Sequence, residues 1–255
     1  MFLALDFGNT NLAAGLFQGE TLVGHWRMAT RRDATSDELA AFLTVALGAR
    51  KWSFDDIKSA ALCSVVPSLT PQAIRLCREW MQLDPLVADA SSTGLKNLYQ
   101  PPSAVGADRL VNALSAHKMA PNGAIIADFG TATTVDAVSP DGTYLGGAIA
   151  PGIGISSDAL FRAAARLPRV ELKAPSRTLA LNTGESIQAG LVFGYAGLTR
   201  ELLERARADF VADWPTEPTI FATGGLAELI APLVAMIGRV EPHLTLNGLR
   251  LLQAK

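Results

Sequence analysis

One motif occurs twice in this chain. Asp6-Phe7-Gly8-Asn9-Thr10-Asn11 follows an apolar run at residues 2–5, and Asp128-Phe129-Gly130-Thr131-Ala132-Thr133 follows another at 124–127. Each copy reads as a buried strand that ends on an acid, then a turn carrying glycine and threonine, then a second strand-like run. The second runs, 12–17 and 134–138, each reach a further turn and a third run. The copies open the two halves of a 255-residue chain. Repetition at this distance implies two similar domains, expected at 1–118 and 119–255. Two facing Asp-Gly-Thr turns would form a cleft that binds phosphate and metal.

The pattern between the motifs is mixed. In the first half it predicts helices over 36–47, with Ser36 as N-cap, over 70–81 and over 106–118, and strands at 59–65 and 86–89. Pro71 stands at an allowed first-turn position. In the second half it predicts helices over 156–166, 185–209 and 226–236 and a strand at 219–222, with 167–181 irregular. Strands and helices mixed in each half define an α/β architecture with helices packed on sheets.

Composition narrows the function classes. Basic and acidic residues number 22 and 24, for a net charge of −2, and no long basic run occurs. Nothing here makes an electrostatic case for nucleic acid. Cys63 and Cys77 are the only cysteines; both lie in apolar periodic segments and are expected to be small buried hydrophobes. A structural zinc site would need more ligands, and His25, His117 and His243 are scattered without partners at ligand spacing. No apolar run approaches a membrane span, and no signal peptide is read at the start. The expected location is the cytoplasm.

The chemistry sits in the turns. An acid at a strand end projects at the sheet edge, and a glycine two residues on lets the backbone approach an anion. Backbone N–H groups with the Thr10 and Thr131 hydroxyls would cradle phosphate oxygens. The carboxylates of Asp6 and Asp128 suit cations instead, and Mg²⁺ with ATP is the natural candidate. Neither a P-loop nor a Gly-x-Gly-x-x-Gly dinucleotide fingerprint is present. Gly106-Ala107-Asp108-Arg109 stands at a predicted helix start. Asp108 there is either a capping charge favoured by the helix dipole or the base that accepts a substrate hydroxyl's proton during phosphoryl transfer. Arg109 could bind a carboxylate or an amide carbonyl, and Tyr99 precedes both in a turn-rich loop. Asn182 and Glu185, around Thr183, fit a helix start. Thr223-Gly224-Gly225 is either a nucleotide-admitting turn or a tight strand-to-helix connection.

With these segments in hand, the chain resembles the type III pantothenate kinases of the acetate and sugar kinase, Hsp70 and actin superfamily. The resemblance is carried by Asp6–Thr10, Gly106–Ala113, Asp128–Thr134, Pro151-Gly152-Ile153, Leu167-Pro168, Thr183–Ile187 and Thr223–Gly225, in order over almost the whole chain. It implies a duplicated actin-like, ribonuclease H-like fold with an interdomain cleft. It implies ATP-dependent phosphorylation of pantothenate to 4'-phosphopantothenate, the first step of coenzyme A biosynthesis. It further implies ATP on Asp6, Phe7, Gly8, Asn9, Thr10, Asn11, Leu12, Ala13 and Thr131, with Mg²⁺ at Asp6 through water. Pantothenate would contact Tyr99, Gly106, Ala107, Asp108, Arg109 and Thr183, with Asp108 as general base. Asp128 would ligate K⁺ or NH₄⁺, and the protein would be a homodimer whose partner helps close the substrate pocket. Some members of the family carry a basic residue where this chain has Ala13, so phosphate charge here would be met by cations, backbone amides and Arg109. Two other readings stay open: a nucleotide-dependent regulator, against which the intact set Asp6, Asp108, Arg109 and Asp128 argues, and a kinase of the same superfamily with a different acceptor.

Overall fold

The structure, a computed structural model, describes residues 1–253. Packing divides the chain into two units: residues 1–95, 99–115 and the C-terminal segment from 244, and residues 96–98 and 116–243.

The first unit is built on a meander of β1 (Phe2–Phe7), β2 (Asn11–Gln18) and β3 (Thr21–Ala29), followed by β4 (Ser59–Ser64) and the short β5 (Leu86–Val87). The strand order is β3-β2-β1-β4-β5, with β4 parallel to β1. β1 is central and buried on both faces, which accounts for its unbroken apolar run. One face packs α1 (Ser36–Gly48) and α2 (Thr70–Met81) through Leu3, Leu5, Leu39, Leu43 and Leu76. The other packs the start of α3 (Ala107–Met119) and all of α7 (Leu244–Leu252) through Val111, Leu114, Leu246 and Leu249.

The second unit repeats this order. Its meander is β7 (Ala124–Phe129), β8 (Ala132–Val138) and β9 (Thr143–Pro151), with β10 (Thr219–Thr223) parallel to β7 and then β11 (Arg239–Val240). The order β11-β10-β7-β8-β9 mirrors that of the first sheet, and β6 (Lys96–Asn97) is added beside β9. Each meander carries one bulge, at Leu16/Phe17 and at Ala137/Val138. α4 (Ile153–Ala163), α5 (Thr183–Asp213) and α6 (Ala227–Ile230) complete this unit.

Several elements differ from the sequence expectation for identifiable reasons. Thr35, not Ser36, caps α1: its hydroxyl accepts from the Glu38 N–H, and Glu38 reciprocates in a capping box. The helix expected over 226–236 stops at Ile230 and passes into a 3-10 turn at Ala231–Leu233. Pro232 has no N–H to give the Glu228 carbonyl, so the α-helical ladder cannot continue. α5 runs past residue 209 to Asp213. α7 was not expected. It joins the first unit although it ends the chain, because its leucines fill the face of β1 and β4 beside α3. Gly248 permits that approach: a Cβ there would lie 2.2 Å from the Val111 carbonyl oxygen. No helix among the described residues is long and apolar enough to cross a membrane.

Candidate active site

In the first unit, β1 delivers Asp6 to the sheet's C-terminal edge, half-buried, while Phe7 turns into the opposite core. The turn after it is closed by the Gly8 N–H donating to the Asn11 carbonyl at 3.0 Å. Thr30 fastens the turn from the end of β3. Its hydroxyl donates to the Gly8 carbonyl at 2.6 Å and its N–H to the Thr10 carbonyl at 2.9 Å. Asn9, Thr10 and Asn11 are exposed, and Ala13 is half-buried. Phe7 and Leu12 are core side chains, so any ligand contact they make is through backbone.

Asp6 is electrostatically frustrated. Burial, and then the nearby Asp108 carboxylate, push its carboxyl up to about 7; the Cys63 thiol and the Arg27 guanidinium act the other way. The Cys63 Sγ donates to Asp6 Oδ1 at 3.2 Å. The Cys63 thiol is itself pushed far up by burial and by these two carboxylates, and so stays protonated. The sequence had offered Cys63 only as a small hydrophobe. It is buried as expected, but its hydrogen bond to Asp6 follows from the parallel pairing of Asp6 with Cys63 across β1 and β4, which a linear pattern does not display.

Asp108 lies in the first turn of α3, where its Oδ1 accepts from the Arg109 N–H at 2.9 Å. Gly106 makes room for it: a Cβ on Gly106 would stand 2.5 Å from that same oxygen. The capping geometry and the nearness to Asp6 coexist, so the two sequence readings of Asp108 are not exclusive. Arg109 is buried, and its guanidinium lies over the Tyr99 ring at 5.8 Å from the centroid. This arrangement fixes the planar cation against an aromatic face. The first unit therefore sets Gly106, Asp108, Arg109 and Tyr99 against one another, with Asp108 near enough to Asp6 to raise its pKa.

The second unit carries the second copy of the motif. Its turn is one residue shorter: Phe129 pairs with Thr133, where Phe7 pairs with Leu12. The Gly130 N–H donates to the Ala132 carbonyl at 3.0 Å, and Thr131 is exposed at the tip. Three glycines hold this turn closely. Gly152 donates to the Thr131 carbonyl at 3.1 Å, and a Cβ on Gly152 would fall 2.1 Å from that oxygen. Gly224, at φ +89°, packs so tightly that a Cβ would meet Asp128 Oδ1 at 2.5 Å and the Phe129 backbone at 2.6 Å; the third, Gly130, would bring one to 3.4 Å from Asp128 Oδ1. The Thr223-Gly224 turn is thus spent on shaping the Asp128 pocket, while Gly225 has open space beside it. A carboxylate with two glycines beside it, Gly130 and Gly224, suits a hard cation that takes oxygen ligands. Among the described residues no group of three or more His, Cys, Asp or Glu could hold a metal ion by itself, so a cation here would complete its shell with carbonyls, water or phosphate. Thr183 is exposed as the first residue of α5, behind the Asn182 cap that accepts from the Glu185 N–H at 2.9 Å.

Comparisons with known proteins bear on the family and the fold. The profile of the type III pantothenate kinase family matches residues 2–205. A type III pantothenate kinase of Syntrophotalea carbinolica is 47% identical over 254 residues, covering 99% of this chain and 98% of that protein. One from Roseiflexus castenholzii is 44% identical over 253 residues with the same coverage. Among solved structures, a ROK family glucokinase from Streptomyces griseus aligns at a TM-score of 0.54 with 12% identity, covering 100% of this chain and 99% of that one. That likeness concerns the fold, a two-domain actin-like architecture of the kind the duplicated sheets display. The chain belongs to the type III pantothenate kinase family.

Proposed function

We propose that this chain transfers the γ-phosphoryl group of ATP to the terminal hydroxyl of pantothenate, opening coenzyme A biosynthesis. The observation that carries the reading is the Asp6–Asp108 pair, two carboxylates close enough that one raises the other's pKa, beside a buried arginine stacked on Tyr99. Near-full-length relatives named type III pantothenate kinase support the acceptor. The exposed residues Asn9, Thr10 and Asn11, with Thr131, would supply N–H groups and hydroxyls for phosphate oxygens. Mg²⁺ held at Asp6, through water, would neutralise both the phosphates and the carboxylate pair.

Phosphoryl transfer asks the protein for positioning and charge stabilisation rather than covalent help. Asp108 accepts the proton of the attacking hydroxyl. Its Oδ1 accepts from the Arg109 N–H, which helps to orient the carboxylate. Arg109 holds the acceptor's carboxylate or amide carbonyl with its planar fork, and Tyr99, Gly106, Ala107 and Thr183 complete the acceptor contacts. K⁺ or NH₄⁺ at Asp128 would supply positive charge on the phosphate side, in the glycine-walled space formed by Gly130 and Gly224. A homodimer is favoured by large apolar side chains left exposed in the second unit, among them Ile149, Ile155, Phe161, Leu179 and Leu181. The site of action is the cytoplasm.

Asp108→Asn tests the assignment. It keeps size and polarity but cannot take the proton. Turnover should fall about 10²–10⁴-fold, the usual worth of a general base, while KM for both substrates stays within a few-fold. A kcat near that of the wild type would refute the role of Asp108.

A further inference from the structure

The nucleotide turn of the first unit brings acids and no base. Asp6 and Asp108 are both carboxylates, and residues 6–13 contain no lysine or arginine. A triphosphate set against such a turn meets repulsion that backbone amides alone offset poorly. The sheet register identifies where the missing positive charge stands. Cys63 on β4 pairs with Asp6 on β1, Asp6 pairs with Ala13 on β2, and Ala13 pairs with Arg27 on β3. Directly paired residues point to the same face of a sheet, so these four form one row across it. The row runs from a buried thiol to an exposed arginine.

Ala13 is the short link in that row. Strands lie about 4.8 Å apart, so Arg27 stands two strands, roughly 10 Å, from Asp6 at the backbone. The residue between them in the row is alanine, whose methyl is short enough for an arginine stem to lean across it. A long side chain at position 13 would fill that space. The Arg27 guanidinium is among the groups that lower the Asp6 carboxyl's pKa, which places the two within electrostatic reach of each other.

We infer that Arg27 is a nucleotide-binding residue: reaching over Ala13 from the neighbouring strand, it contacts the phosphates of the nucleotide bound at the Asp6–Ala13 turn. The inference rests on the reading of that turn as an ATP site and adds a residue, on a different strand, that fixes the phosphates. An exposed guanidinium suits the task, because it offers a planar fork to phosphate oxygens and keeps its charge at every working pH.

The test uses the full-length protein and reads nucleotide binding separately from turnover. Arg27→Ala should raise KM for MgATP on the order of 10–100-fold, the loss expected for one charge-assisted phosphate contact. KM for pantothenate should stay within about twofold. Titration with MgATP in the absence of any acceptor should show the same weakening. Arg27→Lys should be intermediate, since it keeps the charge and loses the fork. Adding Ala13→Lys to Arg27→Ala should restore part of the affinity by returning a cation to the same row; a merely structural role for Arg27 would not be rescued this way. MgATP affinity and KM within twofold of wild type in both Arg27→Ala and Arg27→Gln would overturn the inference. A wild-type protein that binds MgATP but does not phosphorylate pantothenate would defeat the proposed acceptor, and the titration would still decide on Arg27.

Discussion

Asp6→Asn should make the ligand-free protein more stable while removing its use of MgATP. The folded chain pushes the Asp6 carboxyl from 3.8 to about 7. Between those values the folded state holds a proton that the unfolded state has released. Stability contributed through this group is therefore highest at and below pH 3.8, falls as pH rises, and levels off above pH 7. The shift of about 3 units corresponds to about 4 kcal/mol at 1.36 kcal/mol per unit. That is a ceiling for the relief, because a buried amide still gives up part of its hydration. A gain of about 1–3 kcal/mol at pH 8 is expected, or roughly 2–10 °C in Tm for a chain of this size. At pH 5.5 much of wild-type Asp6 is already protonated on folding, and the gain should shrink to about half. Thermal melts of both proteins without nucleotide, at pH 8 and pH 5.5, measure this. MgATP-dependent activity measured alongside should fall by orders of magnitude. A variant less stable than wild type at pH 8, or a gain that ignores pH, would refute the view that Asp6 is a frustrated carboxylate kept for cation binding.

Arg109→Ala should chiefly raise the pantothenate KM, on the order of 10–100-fold for a lost charge-assisted contact, with the ATP KM little changed; steady-state kinetics with each substrate varied would show it, and a shift in the ATP KM alone would contradict the assignment. Gly224→Ala places a Cβ at 2.5 Å from Asp128 Oδ1 on a residue with φ +89°. It should cost roughly 1–3 kcal/mol of stability and weaken activation by K⁺, read from a K⁺ titration of rate and a thermal melt. Phe161→Asp, on an exposed apolar position of α4, should shift the protein toward monomer in sedimentation or light scattering.

Much of this fold was legible in the chain itself because its strongest signals are local. The apolar runs at 2–5 and 124–127 are long enough to demand buried strands, and each ends on an acid and a glycine-bearing turn. The duplicated meanders follow from that, and both appear with the same strand order. Long-range placement was less legible. α7 reads as a short leucine-rich tail until Gly248 is seen against the Val111 carbonyl. The break after Ile230 was signalled by Pro232, against an apolar periodicity that favoured helix. Within the candidate site, Asp6, Asp108, Arg109 and Tyr99 were singled out by residue type and motif; the structure sets Arg109 over the Tyr99 ring and brings Asp108 near enough to Asp6 to raise its pKa. Cys63, Arg27 and Gly224 were not identified as site residues, since their importance depends on which strands pair and in what register. Gly224 drew notice only as part of a turn read as either nucleotide-admitting or a strand-to-helix connection; in the structure it leaves space for the Asp128 carboxylate.

Pantothenate-dependent release of ADP from MgATP by the purified protein, run with and without K⁺ and with the product identified by mass, bears most directly on the reaction. ADP formed one-for-one with 4'-phosphopantothenate, and faster with K⁺, is the expected result. ADP release that is unaffected by pantothenate, with no phosphorylated acceptor formed, would contradict it.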